Sequence, residues 1–162
     1  MLRTKLTHPM IIKALAAAGH GSMVLITDGN YPASTRSYSN AELVYLNLMP
    51  GMVKVTDVLE AVLTAIPVEA VHVMRPDISN DPVDKDSLMM RRTAPGSVHQ
   101  EPSIWADFRR MIPDLALQPV ERFAFYDMAR QPDIALVVAT GDQRLYANIM
   151  LTIGVVPPEK TE

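Results

Sequence analysis

Ala16 to Pro32 reads AAAGHGSMVLITDGNYP, and how this stretch is read decides the fold. Its centre, Met23-Val-Leu-Ile-Thr27, is a short apolar run bounded by turn residues on both sides, the pattern of a buried strand. Gly19-His20-Gly21 stands before the run and Asp28-Gly29-Asn30-Tyr31-Pro32 after it. The strand thus has an imidazole at its entrance and a carboxylate at its exit. His20 and Asp28 are eight positions apart, and an extended chain rising ~3.3 Å per residue keeps them from touching. They meet only if the loop after Asp28 folds back, or if neighbouring copies of the chain supply partners.

Upstream, Thr7-His8-Pro9 predicts a helix start, with Thr7 as N-cap and Pro9 pre-set for the first turn. Ile11, Leu15 and Ala18, joined by Ile12 and Ala16, form its apolar face, and Gly19 stops it. His20 therefore falls in a helix-to-strand turn, where a side chain can be aimed at a solute instead of being packed. Downstream, Leu43–Leu46 reads as a strand and Pro50-Gly51 as a turn. Thr56-Asp57 caps a second helix through Ile66, ended by Pro67, and Val68–Met74 alternates as a strand. Arg75 to Pro102 has no sustained period and reads as a long loop with at most one short helix. Ser103–Ile112, which carries the only tryptophan, Trp105, and Arg122–Arg130 read as helices. Ile134–Ala139 is a continuous aliphatic run suited to a sheet covered on both faces. Thr140-Gly141-Asp142 turns the chain, and Tyr146–Val156 closes it as an extended segment. Helices and aliphatic strands in alternation predict an α/β layered fold, with residues 1–162 as a single domain.

Composition narrows the function. A net charge of −3 and a pI near 5.8 argue against a dedicated nucleic-acid binder. The adjacent basic pairs, Arg91-Arg92 and Arg109-Arg110, read as solvated faces. The absence of cysteine fits a reducing compartment and removes thiolate metal sites. The opening MLRTKLTHPM lacks the apolar core of a signal peptide, and no run approaches the ~18 apolar residues of a spanning helix. The expectation is a soluble cytoplasmic protein with no membrane partner. Eleven methionines and a slightly positive mean hydropathy point to apolar surface hidden between subunits.

The chemistry-bearing residues have plain readings beside the functional ones. His20 can simply satisfy helix carbonyls, or it can act as a general acid or base with flanking glycines that admit a ligand. Asp28-Gly29 can be an ordinary turn, but the carboxyl end of a buried strand is where open α/β sheets place ligands. His8, His72 and His99 are scattered without metal-ligand spacing. Gly19-His20-Gly21 lacks the third glycine of a dinucleotide loop, and Ser22 and Ser34 sit in no nucleophile elbow. What remains is His, Asp, Arg, Tyr and Asn, hydrogen-bonding groups that suit a polyhydroxylated neutral ligand, a sugar above all.

Three blocks, in this order and spanning nearly the whole chain, resemble the family of ribose pyranases and fucose mutarotases. They are Ala18-Gly19-His20-Gly21 with its strand and Asp28-x-Asn30-x-Pro32; Arg122-Phe-Ala-Phe-Tyr126; and Ala139-Thr-Gly-Asp142 leading to Tyr146-Ala-Asn148-Ile-x-Leu151-x-x-Gly154-Val155. The Arg-Phe-Ala-Phe-Tyr block is closer to the fucose branch and Tyr-Ala-Asn to the ribose branch. The resemblance implies a three-layer α/β/α fold with a mostly parallel central sheet, and ring-shaped decamers with sites near subunit contacts. It implies His20 as catalytic proton donor, with Asp28, Arg122, Tyr146, Ala147 and Asn148 binding the monosaccharide, and no cofactor or metal. A site between subunits would answer the separation of His20 from Asp28. The chain departs from the fucose pattern by a short insertion around Gln131-Pro132-Asp133 and by Asp127-Met128 where Glu-Arg is usual. The expected activity is mutarotation of an L-fucose-like sugar. Ribose pyranase activity, or sugar binding without turnover, stands as the alternative.

Overall fold

The computed structural model describes residues 2–76 and 101–158. Most of the Arg75–Pro102 loop, with its possible short helix, Arg91-Arg92 and His99, lies outside the described residues. The chain runs through α1 (Pro9–Ala17), β1 (Met23–Thr27), β2 (Glu42–Tyr45), α2 (Val55–Leu63), β3 (Val68–Arg75), α3 (Ile104–Met111), β4 (Leu117–Glu121), α4 (Arg122–Met128), β5 (Ile134–Ala139) and β6 (Ile149–Ile153). The strands form one six-stranded sheet in the order β2-β5-β1-β6-β3-β4. β1 pairs parallel to β5, β5 to β2, and β3 to β4, while β6 lies antiparallel between β1 and β3. All strands but β6 therefore point the same way, and their carboxyl ends share one edge of the sheet.

Alternation along the strands divides the core between two faces. Val24 and Ile26 of β1, Leu136 and Val138 of β5, and Ile149 and Leu151 of β6 pack with α1, α2 and α3, including Trp105 and Phe108. Leu25, Val137 and Met150 face the other way, against Phe125 and Ala129 in and after α4 and against Tyr31 and Ala33 of the loop after β1. The result is the three-layer α/β/α arrangement, and it explains why β1 and β5 read as unbroken aliphatic runs. At about 1.5–3 kcal/mol for each fully buried aliphatic side chain, these central strands dominate the stabilising side of folding.

Several boundaries differ from the expectation. His8, not Thr7, caps α1: its Nδ1 accepts from the Ile11 amide at 3.4 Å. α2 is capped at Lys54, whose amide donates to Asp57 Oδ2 at 3.0 Å, so Asp57 caps from inside the helix. That helix ends at Leu63 and unwinds through a tight turn in which the Ala65 and Ile66 amides both return to the Val62 carbonyl. α4 stops at Met128, short of Arg130. β4 carries Pro119 and was not foreseen; it pairs only with β3, and an edge strand tolerates a residue that cannot donate. The closing segment is a strand only from Ile149 to Ile153. Tyr146 instead takes the left-handed conformation, φ +59°.

Candidate functional site

The carboxyl edge of the sheet gathers most of the expected residues. Asp28 follows β1 and is 4 % exposed. Its Oδ1 accepts from the Asn30 amide at 2.9 Å and its Oδ2 from Asn148 Nδ2 at 3.0 Å, while its own amide donates to Asn148 Oδ1 at 3.0 Å. Asn148 arrives from the opposite direction because β6 is antiparallel, which places the start of that strand beside the end of β1. Ala147 is fully buried, and its backbone also hydrogen-bonds the Asp28 carboxylate. Burial pushes the Asp28 carboxyl up to about 6, against the opposing pull of the Asn30, Asn148, Tyr31 and Ala147 hydrogen bonds.

Arg122 reaches the same edge through β4. Glu121 closes that strand and caps α4 at once, its Oε2 accepting from the Phe123 and Ala124 amides at 2.8 and 3.1 Å. Arg122 is thereby the first helical residue, buried, with its guanidinium 4.4 Å from the Phe123 ring centre. One helical turn later Tyr126 packs edge-on to Tyr31 at 5.5 Å, with Arg36 over its ring at 5.6 Å. Burial raises the Tyr126 hydroxyl above its ordinary value, with Asp28, Arg122, Arg36 and Tyr146 all acting on it electrostatically. Tyr126 lay inside one of the three sequence blocks without being assigned a role. The i, i+4 spacing from Arg122 was the available signal.

Thr140-Gly141-Asp142 holds the loop that delivers Tyr146 to Asn148. Asp142 Oδ2 accepts from the Val55 amide at 3.0 Å, capping α2, and both carboxylate oxygens are gripped by Arg144 at 3.0 and 2.5 Å. Burial pushes the Asp142 carboxyl up, but the Arg144 side chain, the Arg144 and Val55 amides and the Arg144 charge together hold it below the usual range. Arg144 Nη1 also donates to Asp107 of α3 at 3.0 Å. A Cβ on Gly141 would run into the carbonyl oxygens of Met52 and Met49, so only glycine fits there.

His20 stands elsewhere. It lies in the turn between α1 and β1, at the amino end of β1, with Gly21 beside it in the left-handed region at φ +81°. The Gly21 amide donates to the Ile153 carbonyl at 2.9 Å, which fixes this turn at the far end of β6 from Asn148. The imidazole is exposed, and its Nε2 lies 3.0 Å from Oε2 of Glu69 on β3. Within one chain the length of β1 therefore separates the imidazole from Asp28, Arg122, Tyr146, Ala147 and Asn148. Glu69 was not foreseen, because nothing in the sequence links positions 20 and 69.

A polar cluster at the carboxyl edge of an α/β sheet is where ligands of such folds bind. Comparison with known proteins places the chain in a family: it belongs to the RbsD / FucU transport protein family, whose model matches residues 1–156. It is 29 % identical over 156 residues to the fucose mutarotase of Danio rerio, covering 94 % of this chain and 91 % of that one. It is 31 % identical over 155 residues to the D-ribose pyranase of Paracidovorax citrulli, covering 96 % and 98 %. Among solved structures, the fucose mutarotase from Streptococcus pneumoniae in complex with L-fucose superimposes with a TM-score of 0.72 at 24 % identity, over 97 % of this chain and 100 % of that one. Among the described residues no helix is long and apolar enough to cross a membrane.

Proposed function

We propose that this protein is a cytoplasmic monosaccharide mutarotase, acting on an L-fucose-like sugar. The observation that carries the proposal is the Asp28 carboxylate held at the sheet's carboxyl edge beside Arg122, Tyr126 and Tyr146. This is a set of hydrogen-bonding groups matched to hydroxyls. Ring opening removes the proton from the anomeric hydroxyl, breaks the bond from C1 to the ring oxygen and puts a proton on that oxygen. Rotation about C1–C2 and reclosure then give the other anomer. One group that both donates and accepts a proton carries this chemistry, and general acid–base help contributes roughly 10²–10⁴-fold.

His20 is that group in our reading, oriented by Glu69, and it serves the Asp28 site of a second copy of the chain in a ring decamer. The single-chain separation of the two ends of β1 is what favours a shared site. Ribose is the second choice of substrate, favoured by Tyr146-Ala147-Asn148 and by the relatives named D-ribose pyranase. The test is anomer exchange by NMR saturation transfer on fucose, ribose, galactose and rhamnose side by side. Exchange above the buffer rate, lost in His20→Ala with an unchanged amide spectrum, is the expected result. Saturable sugar binding without exchange would make the protein a binding module, and undiminished exchange in His20→Ala would remove the imidazole from its role.

A further inference from the structure

We infer that Arg36 is a specificity-determining residue, whose guanidinium fits the site to a monosaccharide bearing a carboxylate outside its ring, a hexuronate. The inference rests on the proposed sugar site and deepens it: on that reading Asp28, Arg122, Tyr126 and Tyr146 serve the ring hydroxyls, and Arg36 reads the exocyclic group. Arg36 lies in the loop after β1, the loop that also carries Tyr31. Its main chain is fixed on both sides, the amide donating to the Pro32 carbonyl at 2.9 Å and the carbonyl accepting from the Tyr31 hydroxyl at 2.9 Å. Two residues on, the Tyr38 amide donates to the Ala129 carbonyl at 2.8 Å and ties the loop to the end of α4. The side chain is half-buried, with its guanidinium 5.6 Å from the centre of the Tyr126 ring, and that ring packs edge-on to Tyr31 at 5.5 Å.

A guanidinium carries five N–H donors in a planar fork. Among the described residues no hydrogen bond or ion pair engages those of Arg36, whose side chain is held by the Tyr126 ring alone. The carboxylates on the adjoining segments are taken. Asp28 is hydrogen-bonded by the Asn148 side chain and by the Asn30, Tyr31 and Ala147 backbone, and Asp127, next after Tyr126, pairs with Arg130 at 3.3 Å. Asp28 and Arg36 nonetheless both act electrostatically on the Tyr31 and Tyr126 hydroxyls, so the carboxylate and the cation front the same pair of rings. Stacking on an aromatic face strips a cation of part of its hydration, and a carboxylate restores two parallel charge-assisted bonds to the fork. Phosphate fits less well, because it is ordinarily cradled by several backbone amides, and a single planar fork matches the two oxygens of a carboxylate. A carboxylate at carbon 6 leaves the anomeric hydroxyl and the ring oxygen untouched, so the ring opening proceeds as it does for a neutral sugar.

The test compares L-fucose, L-galactose and L-galacturonate, which share one ring and differ only in a methyl, hydroxymethyl or carboxylate group at carbon 6. Anomer exchange is followed by NMR saturation transfer and binding by calorimetry. In the wild type L-galacturonate is expected to exceed L-fucose in kcat/KM by roughly 10- to 100-fold, the size of a hydrogen bond to a charged group, with the difference carried by KM and L-galactose between the two. Arg36→Met keeps an unbranched stem against Tyr126 and is expected to bring that ratio close to one. A merely structural role for Arg36 would lower all three sugars together and leave the ratio standing. Arg36→Gln removes the charge in a polar side chain and serves the same test should the methionine variant fail to fold. A wild-type ratio near one overturns the inference, as does a ratio that survives either substitution, or a hexose 6-phosphate exchanged faster than the hexuronate. Absence of exchange on every sugar would instead strike the proposed function, and the calorimetric ratio would still decide the role of Arg36. Absence of binding as well would overturn both.

Discussion

Burial drives the Asp28 carboxyl from 3.8 to about 6, and the sign of that shift fixes its effect on stability. The folded state binds this proton more tightly than the unfolded chain does. The contribution of Asp28 to stability is therefore complete below about pH 4 and is lost as pH climbs through about 6, a loss of about 3 kcal/mol by pH 7.5. Urea denaturation of wild type and Asp28→Ala at pH 4 and pH 7.5 isolates it: the gap between the two proteins should move by about that amount in favour of the variant at the higher pH. A gap independent of pH would mean that the carboxyl ionises freely in the folded state. On the proposed function the same protonation weakens sugar binding, so affinity measured by calorimetry is expected to rise through pH 6. At this scale the sequence was half legible. A carboxylate at the end of a buried strand is visible in Thr27-Asp28-Gly29. The pairing with Asn148 spans 120 positions and leaves no local mark.

At the scale of elements, the loop between β5 and β6 is held by Arg144, which is half-buried and pairs with the buried Asp142 and with Asp107 of α3. Asp142 is 2 % exposed and joins the start of α2, Arg144 and the Thr140 hydroxyl. Asp142→Ala removes the cap and leaves Arg144 without its closest carboxylate, a change expected to destabilise the fold by about 3 kcal/mol in chemical denaturation. On the proposed function sugar affinity falls with it, because Tyr146 loses its support. Gly141→Ala is expected to be worse, since its methyl group meets backbone oxygens that cannot move aside as a side chain would. Soluble yield and melting temperature check this, and a melting temperature within a few degrees of wild type would contradict the close approach. β1 and β5 were readable to the residue because both their faces are covered, which leaves an uninterrupted aliphatic signature. β4 was not, because Pro119 and an edge position erase that signature. The break at Tyr146 was hidden too, as a tyrosine in the left-handed region has no composition cue.

At the scale of the whole molecule, the two ends of β1 present complementary halves of the proposed chemistry, the exposed His20–Glu69 pair at one and the buried Asp28 with its hydrogen-bond partners at the other. Tyr45, Leu48, Met49 and Met52 are exposed near the carboxyl edge, an apolar strip that suits contact with a second copy. If sites are shared between copies, His20→Ala and Asp28→Ala should each be inactive alone yet recover when refolded together. Random mixing rebuilds about a quarter of the sites, since each needs one intact group from each copy. No recovery in mixed oligomers would return the site to a single chain. Met49→Glu should shift the sedimentation coefficient toward smaller species, with activity falling in step.

The antiparallel strand at the middle of the sheet also governs when the protein can begin to work. Until β6 is laid between β1 and β3, the strands made earlier can form only two separate ribbons, β2-β5-β1 and β3-β4. Asp28 waits for an asparagine made 120 positions later. A chain still tethered to the ribosome with β6 inside the exit tunnel is thus an unfinished sheet and an empty-handed carboxylate, and the proposed site is complete only once that strand is laid.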